Sequence, residues 1–162
     1  MKICVFYTSP KLGDIILQLP AIKAIADHYN TKVTLCINKY INIKTILENQ
    51  NYIESVIENP FRRGRFYFSD LLNLYRELKK EKIDFAFILE KTKAPAIACK
   101  LANINKIFGF GIGSQKYFVD NLIRLSKDDL RYNYTLQSIK FLNNLKISYD
   151  FNKKYLVLDE KK

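Results

Sequence analysis

The sequence predicts an α/β domain built on a doubly wound, mainly parallel, Rossmann-like sheet. Three observations predict it. Strand-like apolar runs alternate with segments of helical periodicity along the chain. One run, residues 85–89, is apolar throughout, as expected of a central parallel strand covered on both faces. The chain has 162 residues, which is enough for one domain with a full core and without disulfides or metals.

The predicted strands are apolar runs that end at polar or turn-forming residues. They cover residues 2–7, 32–37, 55–57, 85–89 and 106–110. The first run follows Lys2 directly, and the third ends at Asn59-Pro60, where proline cannot donate a backbone hydrogen bond to a ladder. Residues 155–158 are expected to form an edge strand or the start of a connection, and residues 159–162 a loose charged tail.

The predicted helices carry apolar residues at helical spacing between these strands. They cover residues 13–29, 41–49, 69–82, 95–102 and 133–146. Pro20 is expected to kink or restart the first helix, because proline removes a helical hydrogen bond. Ser69 and Asp70 are suitable caps for the third helix, and Pro95 suits the first turn of the fourth. The first 150 residues therefore form one predicted domain.

Charge and composition restrict the classes of partner. The chain has 27 Lys and Arg against 16 Asp and Glu, a net charge of +11, which favours an anionic partner. Nucleic acid is supported by charge alone, since no recognised binding motif accompanies it. Anionic membrane lipid or a phosphorylated glycolipid fits equally well. No signal-peptide pattern or bilayer-spanning apolar stretch is present, so we expect a cytoplasmic protein, with peripheral contact at the inner face of the membrane as an option.

Metal and redox sites are not expected. Cys4, Cys36 and Cys99 occur singly in predicted strands and a helix, where each is expected to be a small buried apolar residue. His28 is the only histidine, so neither a zinc site nor a Ser-His-Asp triad is expected.

Asp14 is the leading catalytic candidate. It follows the first strand and the turn Ser9-Pro10-Lys11-Leu12-Gly13, at the start of the first helix. Ligands of open α/β sheets bind where strands end and helices begin. From spacing alone, a capping role is about twice as probable as a catalytic one, and the two roles are compatible, because a helix N-terminus stabilises the charged carboxylate that a general base needs.

Arg62, Arg63 and Arg65 form the second candidate, a basic cluster directly after the third predicted strand. Guanidinium groups bind phosphate or carboxylate bidentately, so the cluster suits an anion clamp at the sheet edge that carries Asp14. A solvated basic loop is an equally good interpretation.

Gly109, Gly111 and Gly113 form the third candidate. They suggest a dinucleotide fingerprint, but Ser114 stands where the third glycine belongs and the segment comes late in the chain. Turn residues are the better interpretation, so no nucleotide cofactor is expected there.

In order, these landmarks resemble the N-terminal domain of glycosyltransferase family 9, the heptosyltransferases of lipopolysaccharide core assembly. The resemblance rests on the Leu-Gly-Asp and Leu-Pro-Ala opening at 12–14 and 19–21, the Phe-Arg-Arg-Gly-Arg segment at 61–65, the helix and strand at 71–84, the Phe-Gly-Phe turn at 108–110 and the closing helix at 134–145.

The resemblance implies the N-terminal half of a two-domain, GT-B-type enzyme. Asp14 would be the base of an inverting transfer from a nucleotide sugar, ADP-heptose, to the lipopolysaccharide core, without a metal or other cofactor. Ser9, Lys11 and Gly13 in the turn, and the arginines Arg62, Arg63 and Arg65, would contact the acidic acceptor.

Two departures from the family pattern limit what is carried over. Heptosyltransferases have an Asp-x-Gln-Gly-like segment after the fourth strand, whereas this chain has Ile-Leu-Glu-Lys at 88–91, which points to a different acceptor or sugar. The donor-binding C-terminal domain is expected to be missing, with residues 151–162 as a tail or the start of the interdomain connection. The chain alone is therefore expected to be incomplete as an enzyme, and its uncovered cleft face to favour self-association. A non-catalytic basic module that binds anionic glycolipid or another polyanion is the alternative.

Overall fold

The computed structural model describes residues 1–60, 67–126, 128–129, 133–150 and 155–156. In this part of the chain, six strands form one sheet whose pairings are all parallel. The strands are β1 (Ile3–Phe6), β2 (Val33–Asn38), β3 (Ile53–Asn59), β4 (Phe85–Ile88), β5 (Lys106–Gly109) and β6 (Asn121–Leu122). The predicted parallel α/β fold is therefore confirmed, and β6 is a strand that the apolar pattern did not predict, because it is short and exposed.

The helices are α1 (Leu12–His28), α2 (Lys44–Glu48), α3 (Phe68–Glu81), α4 (Ala94–Leu101) and α5 (Tyr134–Asn144), with short 3-10 segments at Lys39–Ile41 and Gly113–Tyr117. The cap predicted for α3 is wrong: the helix begins at Phe68, so Ser69 and Asp70 lie within its first turn. The strand or connection expected at 155–158 falls mostly outside the described residues, and Tyr155 and Leu156 are not in a strand.

Pro20 does not restart the first helix. Helix α1 runs without a break from Leu12 to His28 with Pro20 inside it. Leu19 and Ala21 on either side of the proline, and Ile22 beyond it, are buried against the sheet. Burial of large apolar side chains stabilises a fold by about 1.5–3 kcal/mol each, which offsets the roughly 3 kcal/mol cost of a proline in a helix.

The core has two layers, one on each face of the sheet. Alternate residues of each strand point to opposite faces, so Val5 packs with α1 and α5 while Phe6 packs with α3 and α4. Phe87 and Phe108 stack on the α1–α5 side with ring centroids 4.6 Å apart. Three buried cysteines share the opposite layer, as free thiols, which confirms the structural role predicted for them.

The strand order, β3-β2-β1-β4-β5-β6, positions the functional site. The chain builds the sheet outward from β1 in one direction as far as β3, and then returns to add β4 on the other side of β1. Connections leaving β1 and β4 therefore diverge, and this topology predicts a crevice between the carboxyl ends of the two strands. Parallel sheets bind their ligands at such a switch point.

Candidate functional site

Thr8 and Glu90 face each other across the switch-point crevice, the gap between the carboxyl ends of β1 and β4. Thr8 follows β1 and Glu90 follows β4, and the two strands pair through Phe6 and Ile88. The Thr8 hydroxyl lies 2.7 Å from Glu90 Oε1 and 2.6 Å from Oε2. A side-chain contact thus joins two segments 82 residues apart at the usual ligand position of this fold.

Asp14 stands beside this contact, in the first turn of α1. The Ser9 hydroxyl donates to Asp14 Oδ2 at 2.6 Å. Helix α1 begins at Leu12 with Lys11 as its N-cap, and the Lys11 side chain makes no capping hydrogen bond. Thr8 and Ser9 are consecutive, so the turn after β1, residues 7–11 (here called the β1 turn), supplies one hydroxyl to each of two carboxyl groups.

Residues 10–13, which lead from the β1 turn into α1, are open to solvent. Lys11 is exposed, and its backbone N–H lies 3.4 Å from the Ser9 hydroxyl. Gly13 is exposed, and a Cβ atom built there would meet no atom within 4 Å. Ser9, Lys11 and Gly13 thus lie close to Asp14 along the chain, and their role in substrate binding stays a prediction.

Asn38 supports the turn from the neighbouring strand. It is buried at the end of β2, and its amide donates to the Thr8 carbonyl at 3.4 Å. Its side-chain oxygen accepts from the Tyr40 backbone N–H. The backbone that presents the two hydroxyls is therefore held from the β2 side as well.

Gln115 holds the opposite wall of the crevice. It lies in the turn after β5, residues 110–117 (here called the β5 turn), and is 1% exposed. Its amide nitrogen donates to the carbonyls of Glu90 at 2.9 Å and Thr92 at 2.8 Å, and its oxygen accepts from Gly111 N–H at 2.8 Å. These bonds fix the backbone at Glu90 and Thr92, and so the position from which the Glu90 side chain projects.

Burial changes the acid strength of Glu90. Removal from water raises the pKa of this carboxyl group to about 7, and hydrogen bonds from Thr8 and Thr92 oppose part of the rise. No described lysine, arginine or histidine forms an ion pair with it. Glu90 is therefore a group that exchanges a proton near neutral pH.

The glycine candidate is a structural turn. Gly111 and Gly113 adopt φ values of +64° and +58°, which L side chains rarely adopt. They reverse the chain so that Gln115 points back at residues 89–93, the segment between β4 and α4 (here called the β4 loop). The turn interpretation is therefore confirmed for these two residues, while Gly109 ends β5.

Arg62, Arg63 and Arg65 lie outside the described residues, in segment 61–66. The described strand β3 ends at Asn59, two residues before this segment in the sequence. Their role as an anion clamp stays a prediction.

Glu90, Thr8 and Gln115 were missed by the sequence reasoning. Glu90 had a usable signal, because it is the first polar residue after a fully apolar strand. Thr8 stands in the same position after the first run. Ligands of open α/β sheets bind where strands end, and this argument, used above for Asp14, applies equally to Thr8 and Glu90. In contrast, nothing in the local sequence distinguishes Gln115 from a surface glutamine.

The described residues contain neither a metal-binding cluster nor a helix able to cross a membrane. None of these residues group as three or more His, Cys, Asp or Glu side chains able to hold a metal ion. Within the same residues, every helix is too short or too polar to cross a bilayer.

Comparison with known proteins adds the fold relationship. No protein-family model matches the sequence, and no curated protein sequence matches it either. A family 9 glycosyltransferase from Veillonella parvula DSM 2008 is similar in structure, with a TM-score of 0.74 and 19% identity over 91% of this chain and 41% of that chain. The E. coli heptosyltransferase WaaC, solved with ADP-2-deoxy-2-fluoro heptose, has a TM-score of 0.67 and 15% identity, covering 94% of this chain and 51% of its own.

MurG of Acinetobacter baumannii is a more distant structural neighbour, with a TM-score of 0.55 and 13% identity over 74% of this chain and 40% of its own. The present chain therefore spans about half or less of the length of these three structures. In its described part it has the α/β fold seen in family 9 glycosyltransferases and heptosyltransferases, as the sequence resemblance predicted.

Proposed function

We propose that residues 1–150 form the acceptor-binding domain of an inverting glycosyltransferase, with Asp14 as its general base. The observation that carries this proposal is the Ser9–Asp14 hydrogen bond beside the switch-point crevice. The bond orients a carboxyl group at the edge of an open space, and the fold is that of glycosyltransferases. Transfer of heptose from ADP-heptose to a lipopolysaccharide core is the specific reaction proposed.

The reaction needs one proton transfer and one displacement. The Asp14 carboxylate takes the proton of an acceptor hydroxyl, whose oxygen attacks the anomeric carbon. The bond from that carbon to the nucleoside diphosphate breaks, and the leaving group departs with its electron pair, so the configuration inverts. A positioned base contributes about 10²- to 10⁴-fold to such a step. The Ser9 hydroxyl sets the direction in which the carboxylate faces.

The donor site is proposed to lie on a second domain outside these 162 residues. The matched structures are about twice as long as the chain or longer, which supports a partner domain. Exposed aromatic side chains on the carboxyl edge of the sheet supply contact surface for it: Tyr40 is 59% exposed, Phe68 70% and Tyr117 72%. The same surface supports self-association of the isolated chain.

An anionic acceptor anchored in lipid would bring this basic domain to the inner face of the membrane.

The first test measures binding of two ligands by titration calorimetry. A phosphorylated core oligosaccharide of the Kdo type is expected to bind the chain, and an ADP-sugar is expected not to bind it. Binding of the ADP-sugar alone would contradict the assignment to the acceptor side.

Activity is tested on the chain completed with a donor-binding domain. Asp14→Asn is expected to lower the transfer rate about 10²- to 10⁴-fold without changing the unfolding midpoint. Glu58→Gln, at an exposed carboxylate of β3, is the matched control and is expected to leave the rate unchanged. Full turnover in Asp14→Asn would overturn the assignment of the base.

A non-catalytic module that binds a polyanion is the second candidate, favoured by the net charge of +11. Binding of this kind depends steeply on salt and is insensitive to Asp14→Asn. A steep salt dependence of core oligosaccharide binding, with equal affinity in the variant and the unmodified chain, would favour it over the transferase.

A further inference from the structure

Glu90 is a carboxyl group held largely out of water at the end of β4. The chain carries an excess of 11 positive charges, yet no described basic side chain forms an ion pair with Glu90. Burying a carboxylate in this way costs folding free energy unless hydrogen bonds satisfy it. A costly group in a ligand-binding crevice is a candidate for function.

The position of this carboxyl group is set from two sides. The Thr8 hydroxyl contacts both of its oxygens across the crevice, and the Gln115 amide holds its backbone carbonyl from the β5 turn. Side chain and backbone are thus fixed independently, as expected of a group that must meet a ligand in one orientation.

The hydrogen-bond donors to Glu90 within the described part of the chain come from two threonines. A carboxylate accepts about four hydrogen bonds, and these donors are the hydroxyls of Thr8 and Thr92 and the Thr8 backbone. Glu90 itself is partly exposed. The side-chain donors among the described residues are hydroxyl groups, and a sugar offers the same chemistry.

We propose that Glu90 is a second acceptor-binding group of the crevice, which accepts a hydrogen bond from a sugar hydroxyl neighbouring the one that Asp14 deprotonates. The inference rests on the proposed function. Its geometric basis is that the consecutive residues Thr8 and Ser9 tie Glu90 and Asp14 to one short turn. Two carboxyl groups so placed select an acceptor with hydroxyls on adjacent positions.

Other ionisable groups lie on the segments at this edge of the sheet, and a test must separate their effects from that of Glu90. The acidic, basic and thiol side chains on the segments that meet there are Lys11, Asp14, Cys36, Lys91, Lys93 and Lys116. Burial raises the pKa of Cys36 well above its usual range, so that thiol stays protonated at neutral pH. A variant at Glu90 isolates its contribution from the rest.

The test is calorimetric titration of the phosphorylated Kdo-type core oligosaccharide at pH 7, in two buffers that differ in their heat of ionisation. An added hydroxyl donor favours the charged form of Glu90, so its bound proton is released. We expect the unmodified chain to release about half a proton more per bound ligand than Glu90→Gln, because a group with a pKa of about 7 is half protonated at pH 7. Affinity should fall about tenfold in Glu90→Gln.

Glu77→Gln is the matched control, since Glu77 is exposed in the middle of α3. It is expected to match the unmodified chain in both affinity and proton release. A merely structural role of Glu90 would change stability without changing the proton count, so the proton count decides between the two roles.

The outcomes separate this inference from the function on which it rests. If the unmodified chain binds the oligosaccharide and Glu90→Gln keeps its affinity and proton release, Glu90 is no ligand group and the proposed function stands. If the unmodified chain fails to bind, the proposed function falls and this inference with it. If Glu90→Gln does not fold, Glu90 is structural and the inference is overturned.

Discussion

The β1 turn and the β5 turn lie at the same edge of the sheet, and both are held by side-chain hydrogen bonds, but they differ in what those bonds face. In the β5 turn, Gln115 is buried and all three of its hydrogen bonds join backbone groups. In the β1 turn, Thr8 and Ser9 direct their hydroxyls at carboxyl groups beside open space. The first arrangement is a structural brace, and the second is the one proposed above to contact the acceptor.

The comparison shows that the burial of a polar side chain, more than its residue type, indicates whether it supports the fold or is available to a ligand. Backbone groups that are closed off from water must be satisfied within the protein, so Gln115 is required by the fold. The carboxyl groups of Asp14 and Glu90 could be solvated elsewhere at no cost. Their placement at this edge of the sheet therefore needs another explanation, and the acceptor binding proposed above supplies one.

The largest effect is expected for loss of the brace. Gln115→Ala removes three hydrogen bonds and should lower the free energy of unfolding by about 3 kcal/mol, measured by urea denaturation. Lys116→Ala, at the exposed neighbour in the same 3-10 segment, should lower it by less than about 1 kcal/mol. Equal effects of the two substitutions would show that the β5 turn is no brace.

Glu90→Gln is expected to raise the free energy of unfolding, by an amount that depends on pH. The folded protein holds the pKa of Glu90 near 7, above its ordinary value of 4.5, so stability contributed by this group is present below pH 4.5 and is lost as pH rises through 7. The variant should therefore match the unmodified chain at pH 4 and exceed it by about 1–3 kcal/mol at pH 8.

This prediction is checked by urea denaturation at both pH values, with Glu77→Gln as the control that should show no such change. A constant difference between Glu90→Gln and the unmodified chain across this range would show that the carboxyl group is not desolvated. The argument that Glu90 occupies a costly position, and therefore has a function there, would then fail.

The smallest effects are expected for a pair of glycine substitutions, one within the β5 turn and one just after the β1 turn. Gly111→Ala should lower the free energy of unfolding by about 1–2 kcal/mol, because its φ of +64° strains any L side chain and the new Cβ would displace the exposed Leu122 side chain. Gly13→Ala should raise it by about 0.5 kcal/mol, because Gly13 is helical and faces open space.

Binding of the core oligosaccharide provides a second comparison of the two glycine variants. If the open space at Gly13 belongs to a ligand, Gly13→Ala should weaken binding although it stabilises the fold, and Gly111→Ala should leave binding unchanged. Calorimetric titration of both variants measures this, and unaltered binding by Gly13→Ala would remove Gly13 from the proposed site.

Much of the fold could be predicted because its signals are local. A buried parallel strand has to be apolar over its own few residues, as at 85–89, and a helix on the sheet has to repeat its apolar residues every three or four positions, as at 134–144. Errors fell where tertiary packing overrides local preference. Helix α1 continues through Pro20 because its buried neighbours hold it, and β6 is too short to leave a pattern.

The sequence by itself determined where Asp14 stands, because the strand, turn and helix that place it are contiguous in the chain. Only the tertiary structure decided that Thr8 meets Glu90 and that Gln115 braces the β4 loop, since these contacts join residues 82 and 25 positions apart. Such pairings depend on strand order and on the parallel register of β1 with β4. Strand order follows from packing the whole sheet between its two helical layers, and no local segment encodes it.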